Sequence, residues 1–470
     1  MNCLAENRQM EPETAASALI DRLVKAGDPY AALGAYAHAG AMARSELEPV
    51  ILATPRLRLI VASAPYAPPD LLDRLSRGAS APLALRLVKN PATPTTALGR
   101  LLRGGPDDRL RRYIAAHPQA DAAILSRLAE DGSVEVRRAV SGNAHAPAAV
   151  IARLAAEDDA QIARNAAAAP QANAPTLRHL WNADDVWVRA EVAAHPNCPP
   201  DILAEAEAAT DPLIRRKRAA NLAIAEAALL SLLADPDERV RAAAVRNPAV
   251  SGECLDEAGD PSARVRRLFA RRSRLSSSLM ERLTTDPDVW VRRWIARNPD
   301  LPRALLGQLA ADPETEVRRS VARNPACPPD LLVALATDPQ PWVRAGVALR
   351  EDAPDTAIAR LTGDEDRDVL GALGRNPRTP AAQLDVIARH PDKDVRRSVA
   401  FNRAAPPGVL GHLAEDPYPL NRAILAGHRG LALPLVERRL DDPEPQVRFA
   451  AAARLARGLL THDPRVEQQR

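Results

Sequence analysis

The sequence predicts an all-α array, an alpha-alpha superhelix (solenoid) of about sixteen 26-residue helical repeats. Three observations predict it: one string recurs at nearly constant spacing, each copy holds two helix-length apolar patterns, and proline stands at the boundaries. The string is Asp-Pro-x-x-x-Val-Arg-Arg-x-Val-Ala-x-Asn-Pro-x-x-Pro-x-x-Leu-Leu-x-x-Leu-Ala, cleanest from Asp286 to Ala336. The Val before Arg, or its substitute, recurs at Leu57, Leu83, Leu110, Val136, Ile162, Val188, Ile214, Val240, Val265, Val291, Val317, Val343, Val369, Val395, Asn421 and Val447. Steps are 26 residues apart from a 27 before Leu110 and a 25 before Val265.

The leading helix of a repeat opens after proline, as at Cys327-Pro328-Pro329-Asp330, where a missing N–H costs nothing because first-turn donors have no helical partner. Leu331, Leu332 and Leu335 then fall on one face. Asp338-Pro339 stops it, because the residue before proline is pushed out of the helical region. The trailing helix starts near Trp342 and turns Val343 and Val347 inward, and Asn-Pro ends it in most copies, as at Asn298-Pro299, Asn324-Pro325 and Asn376-Pro377. With only two or three turns available, the leading helix is expected to be partly 3₁₀. Units this short cannot fold alone, and stacking gives them a shared core.

Residues 1–50 depart from the repeat but keep helical periodicity in Ala16, Ile20, Leu23 and Val24, which reads as an N-terminal helical cap. Residues 51–460 form the array, and 461–470 a polar, frayed tail.

A single core rarely grows past roughly 250–300 residues, so a chain of 470 requires several domains or a repeat array. Its apolar content is 46% with only 3% aromatic, which suits closely stacked helices. With 63 basic and 60 acidic residues the net charge is +3, so any cationic function has to come from local arrangement. Only Lys25, Lys89, Lys217 and Lys393 are lysines, and the remaining basic residues are arginines suited to planar pairing with carboxylate or phosphate. Cys3, Cys198, Cys254 and Cys327 form no C-x-x-C pair and read as reduced thiols. No stretch has the ~18 apolar residues of a membrane span, and no signal-peptide pattern opens the chain. A cytoplasmic, bacterial protein is the resulting expectation.

In these residues the sequence resembles the leucine-rich repeat variant (LRV) family, whose repeat has the form Val-Arg-x-x-Val-Ala-x-Asn-Pro-x-x-Pro-x-x-Leu-Leu-x-x-Leu-Ala-x-Asp. The resemblance covers roughly residues 51–460 and is sharpest from Val291 to Arg344, with weaker copies at Ile162, Ile214 and Asn421. It implies alternating α and 3₁₀ helices in a right-handed, HEAT-like, armadillo-type superhelix. An N-terminal iron–sulfur cluster found in the family needs four thiolates, and only Cys3 lies in that region here.

The Asp-Pro and Val-Arg elements, Asp235 with Arg241, Asp260 with Arg266, Asp286 with Arg292, Asp312 with Arg318 and Asp338 with Arg344, read as a structural ladder. Each Asp would cap its trailing helix and accept bonds from the Arg of its own or the next copy. Two further arginines per copy, four residues apart on one helix face, recur at Arg267 and Arg271, Arg293 and Arg297, and Arg319 and Arg323, with outliers at Arg246, Arg375 and Arg397. Six like charges in rows suit an acidic protein surface or a phosphate backbone, or form a solvated face balanced by Glu314 and Glu316. Trp187, Trp290 and Trp342 each precede an anchor, and Trp294 shares a helix with Arg293 and Arg297, placing stacking surfaces beside the charges or covering the seams between copies. Binding-surface candidates are therefore Arg267, Arg271, Arg293, Arg297, Arg319, Arg323, Trp290, Trp294 and Trp342.

Catalysis finds no constellation. His117, His195 and His428 stand in the Asn slot, and Cys198 and Cys327 share one repeat position five copies apart, as small buried fillers. Phosphate loops, His-Glu-x-x-His and Gly-x-Ser-x-Gly are all missing. HEAT-like DNA glycosylases are the enzymatic alternative, yet their catalytic acid matches no residue here. The expectation is a non-enzymatic scaffold without cofactor, metal, membrane or small-molecule substrate, binding a protein, or alternatively nucleic acid through the arginines.

Overall fold

The computed structural model describes residues 12–36, 48–65, 67–252, 254–255 and 259–461. Among these, helices alternate along the chain and no strand occurs. None of the helices is long and apolar enough to cross a membrane. The chain divides into two compact units, one of residues 58–291 and one of 292–470 together with 1–57. The polar tail expected at 461–470 lies outside the described residues from 462 onward, as does Cys3.

The leading helix Pro329–Leu335 starts behind Pro328, buries Leu332 and Leu335, and ends where the Ala336 N–H bonds the Leu332 carbonyl. The trailing helix Thr315–Ala322 buries Val317 and Val321 one turn apart. Within the second unit successive trailing helices pack on each other, Thr315–Ala322 against Pro341–Ala348, then Arg367–Arg375, then Lys393–Val399. The leading helices are α-helical, and one of them, Leu433–Arg438, runs on into a 3₁₀ turn at Arg439–Asp441, so 3₁₀ geometry among the described residues is confined to that copy. The helices of the array run six to nine residues, apart from the 17 of Pro445–Thr461. Proline at the first position and a C-terminal turn closed by i→i−3 and i→i−4 bonds together, as at Ser76, let seven residues hold α geometry.

Two ladders of polar side chains tie copy to copy. In the first, the Asp of each Asp-Pro receives the guanidinium of the preceding copy. Arg318 reaches Asp338 through Nε at 2.7 Å and Nη2 at 3.1 Å, while its Nη1 donates to the carbonyls of Asp312 and Pro313 in its own copy. The same geometry recurs at Arg111–Asp131, Arg215–Asp235, Arg241–Asp260 and Arg266–Asp286 in one unit, and at Arg292–Asp312, Arg344–Asp364, Arg396–Asp416 and Arg422–Asp442 in the other. The carboxylate therefore pairs with the Arg before it, and its own copy's Arg takes the main-chain carbonyl. Its second duty is to accept the N–H two residues on, as Asp338 does from Gln340, so it shapes the turn and leaves the N-cap to later residues such as Asp237. Ala209 stands where the carboxylate after Arg189 would be, and the Arg189 Nε is buried without a hydrogen-bond partner.

In the second ladder Asn324, fully buried, donates to the carbonyls of Ala296 and Asn298 at 2.8 Å each and accepts the Ala326 N–H. Asn90, Asn143, Asn221, Asn247, Asn376 and Asn402 repeat this. Histidine serves in the same slot: His117 and His195 set Nε2 against the carbonyl of the previous copy, at 2.9 and 3.0 Å, and Nδ1 accepts the N–H two residues on. Asparagine here is a bridge between copies as well as the end of a helix.

The first ladder predicts acid sensitivity. Burial opposes ionisation of Asp364, Asp416 and Asp442, but the guanidiniums of Arg344, Arg396 and Arg422 and backbone N–H groups outweigh it, so all three carboxyls lie below their ordinary value. A depressed folded-state pKa supplies stability above the unfolded value, about 3.9 for Asp, which is lost as pH falls through the folded value. Urea midpoints should hold from pH 7 to about pH 5 and drop steeply below about pH 4.

Candidate macromolecule-binding surface

Where an arginine stands two residues after the anchor, as at Arg164, Arg267, Arg293 and Arg319, it lies at or past the middle of a trailing helix, and what it meets depends on the next copy. In the unit of residues 58–291, Arg267 pairs with Asp288 through Nη2 and Nε at 2.7 and 2.9 Å and lies 5.9 Å from the Trp290 ring. Arg164 meets Asp185 and Trp187 in the same way. Arg271 lies beyond helix Ala263–Phe269 and is exposed. Arg267 is thus largely neutralised by a turn carboxylate.

In the other unit Arg293, Arg297, Arg319 and Arg323 come together. Position 316 puts Glu before the Val317 anchor and position 314 holds Glu where Asp288 sits one copy earlier. Among the described residues no carboxylate lies within ion-pair distance of Arg297, Arg319 or Arg323. Arg297 instead stacks on Trp294 at 5.3 Å, and Arg319 on Trp342 at 4.7 Å. Burial lowers the pKa of Arg297, and Arg293, Arg323 and Arg319 lower it further. Burial likewise lowers Arg319, with Arg323 and Arg293 adding to it against the smaller opposing pull of Asp368 and Glu316. The Arg319 Nε is buried without a hydrogen-bond partner. Trp294 is half-buried, and Trp342 is 57% exposed. Arg297 and Arg319, each disfavoured by burial and by the neighbouring guanidiniums, lie beside the exposed indole of Trp342 and form a surface that an anion would stabilise.

A groove of about 310 Å³ continues this surface, lined among others by Arg319, Trp342, Arg367, Asp368, Arg375 and Asp394. Arg375 lies 5.6 Å from the ring of Phe401, itself exposed. Sequence reasoning left Arg375 as an outlier and missed Arg367 and Phe401. An offset of 23 residues from Arg to the aromatic of the next copy recurs at Arg164 to Trp187, Arg267 to Trp290 and Arg319 to Trp342, but it reaches neither Arg367 nor Phe401, which lies 26 residues after Arg375.

No group of three or more His, Cys, Asp or Glu among the described residues is placed to hold a metal. Cys198 and Cys327 are buried, and burial pushes each thiol up to about 11, so both are protonated at neutral pH.

Residues 289–314 and 315–340, which supply Trp290, Trp294 and all four clustered arginines, match the family model of the leucine-rich repeat variant. The chain is a helical-repeat protein with LRV repeats. Among solved structures it is similar to a leucine-rich repeat variant described as having a novel repetitive structural motif, at 29% identity over 53% of this chain and 88% of that one, with a TM-score of 0.32. It is also similar to a structure of Kap95p with RanGDP, at 10% identity over 97% of this chain and 66% of that chain, TM-score 0.28. A third similarity is to UNC-45 from Drosophila melanogaster, at 10% identity over 98% and 71%, TM-score 0.27. At such TM-scores the superpositions bear on neither function nor shape. A search of curated proteins found no match. The LRV match falls on the same two copies in which the ladders and the arginine cluster are most regular.

Proposed function

We propose that this LRV-repeat protein is a non-enzymatic scaffold that binds an acidic segment of a protein partner along Arg293, Arg297, Arg319, Arg323 and Trp342. The observation that carries this reading is the pairing of mutually repelling, partly desolvated guanidiniums with an exposed indole. Carboxylates of a partner would supply Arg297, Arg319 and Arg323 with the counter-charge that the loop acids do not, and Trp342 would cover apolar side chains beside them. Asp368 at the groove edge favours a partner with spaced charges over a uniform polyanion.

The test uses a labelled twelve-residue peptide alternating Glu with Leu, and a thirty-residue oligothymidylate, each titrated at low salt. The peptide should bind and quench Trp fluorescence, and Arg319→Gln with Arg323→Gln should weaken it at least tenfold. The alternative reading, nucleic acid on the same arginines, rests on the Arg–Trp stacks at Trp294 and Trp342. It gains the case if the oligothymidylate binds more tightly than the peptide, with affinity falling by a log–log salt slope of about −0.7 per phosphate neutralised. Failure of both probes to bind would end the proposal.

A further inference from the structure

The unit of residues 292–470 with 1–57 carries its helical pair Pro12–Lys25 and Pro29–Tyr36 against the last helix, Pro445–Thr461. The mode of packing is that of one repeat on the next. In rungs such as Arg318 and Arg422, the Arg following the anchor gives Nη1 to the carbonyls of its own Asp-Pro and Nε to the carboxylate of the next Asp-Pro. Arg448, after the final anchor Val447, gives Nη1 to the carbonyls of Asp442 and Pro443 at 2.9 and 3.0 Å. Its Nε goes to the carboxylate of Asp28, 420 residues away in sequence.

Asp28 is itself followed by Pro29, and a trailing-type helix begins there. Its carboxylate accepts the Ala31 N–H three residues on, an N-cap bond where the other ladder aspartates accept the N–H two residues on. Five residues after the Asp, where the other copies place their anchor (Asp286 to Val291, Asp312 to Val317, Asp442 to Val447), stands Leu33, 2% exposed. The next position, Arg in those copies, is Gly34. A Cβ on Gly34 would run into the Phe449 main chain, so its absence is what lets this helix approach Pro445–Thr461. Loss of the Arg also ends the ladder, since no further carboxylate is needed. Leu19, Ile20 and Leu23 of the preceding helix are buried, as are Val447, Ala451 and Leu455 opposite.

We propose that residues 12–36 are a repeat unit displaced to the start of the chain, and that this segment docks as the terminal cap on the C-terminal end of the array. The surface it fits is the outer side of Pro445–Thr461, which would otherwise present an apolar repeat face and an unpaired Arg448 to solvent. Repeat arrays require a terminal unit without a sticky outer face, and Gly34 gives this one no arginine to offer a further copy.

Hydrogen exchange on the full-length chain tests the cap. Amides of residues 447–456 should be protected, independently of protein concentration, and Gly34→Leu should speed their exchange at least tenfold while leaving residues 315–348 unchanged. Asp28→Asn, which keeps the side-chain volume, should speed the same amides to a smaller extent and covers the case in which Gly34→Leu fails to fold. Unchanged exchange at 447–456 in both variants would overturn the proposal. So would protection that appears only as concentration rises, because the occupant would then be a second copy.

Discussion

Asp338→Ala should lower stability by about 3 kcal/mol, in the range for removing one partner of a buried ion pair. The pair is almost enclosed, with side chains 13% exposed at Arg318 and 5% at Asp338. Truncation leaves the guanidinium of Arg318 without its carboxylate and the Gln340 N–H without its acceptor. Replacing both partners at once, Arg318→Met with Asp338→Leu, should cost much less, because the large term is the charge left unpaired and not the bond itself. Urea denaturation of the two single variants and the double variant measures this. A double variant no better than Asp338→Ala would contradict the account of the ladder.

Asn324→Ala should cost a similar amount, about 3 kcal/mol. It strips two buried carbonyls, of Ala296 and Asn298, of a donor and the Ala326 N–H of its acceptor. The chain contains the control. At His117 and His195 an imidazole occupies this slot with Nε2 on the preceding copy and Nδ1 on the local N–H. Asn324→His should therefore recover a large part of the loss, whereas Asn324→Leu, of comparable bulk but without polar atoms, should recover none. Thermal melts of the three variants distinguish bridging from space-filling.

The repeat length, both helices and the inward faces of Val317, Val343 and Leu332 were legible because a helical period and proline punctuation are local properties of the chain. The Asp–Arg pairing was legible as a ladder, but its direction was not. Asp338 with Arg344, six residues on, and Arg318 with Asp338, twenty residues on, are both open in a string that repeats, and only the stacking offset between copies chooses the second. The 3₁₀ geometry is confined among the described residues to Arg439–Asp441 for a local reason, that proline-initiated seven-residue helices already close their last turn with mixed bonds. For the candidate surface, the arginine positions were legible and their inequality was not. Arg267 is neutralised because Asp288 stands in the next turn, whereas Arg319 is not, and that difference lies 21 to 23 residues downstream of each arginine. The place of Asp28 on Arg448 was beyond a reading by nearest copies, since the two lie at opposite ends of the sequence.

The central claim is a division of labour, with ladder side chains holding repeats together and the Arg293–Arg323 cluster reserved for a partner. The direct test compares thermal melting of Asn324→Ala with that of Arg319→Gln and Arg323→Gln combined. The account predicts a clear fall in midpoint for the first and an unchanged or raised midpoint for the second, since removing two of four mutually repelling charges relieves strain. A cluster variant that melts as far below the parent as Asn324→Ala would show the arginines to be structural, and would contradict it.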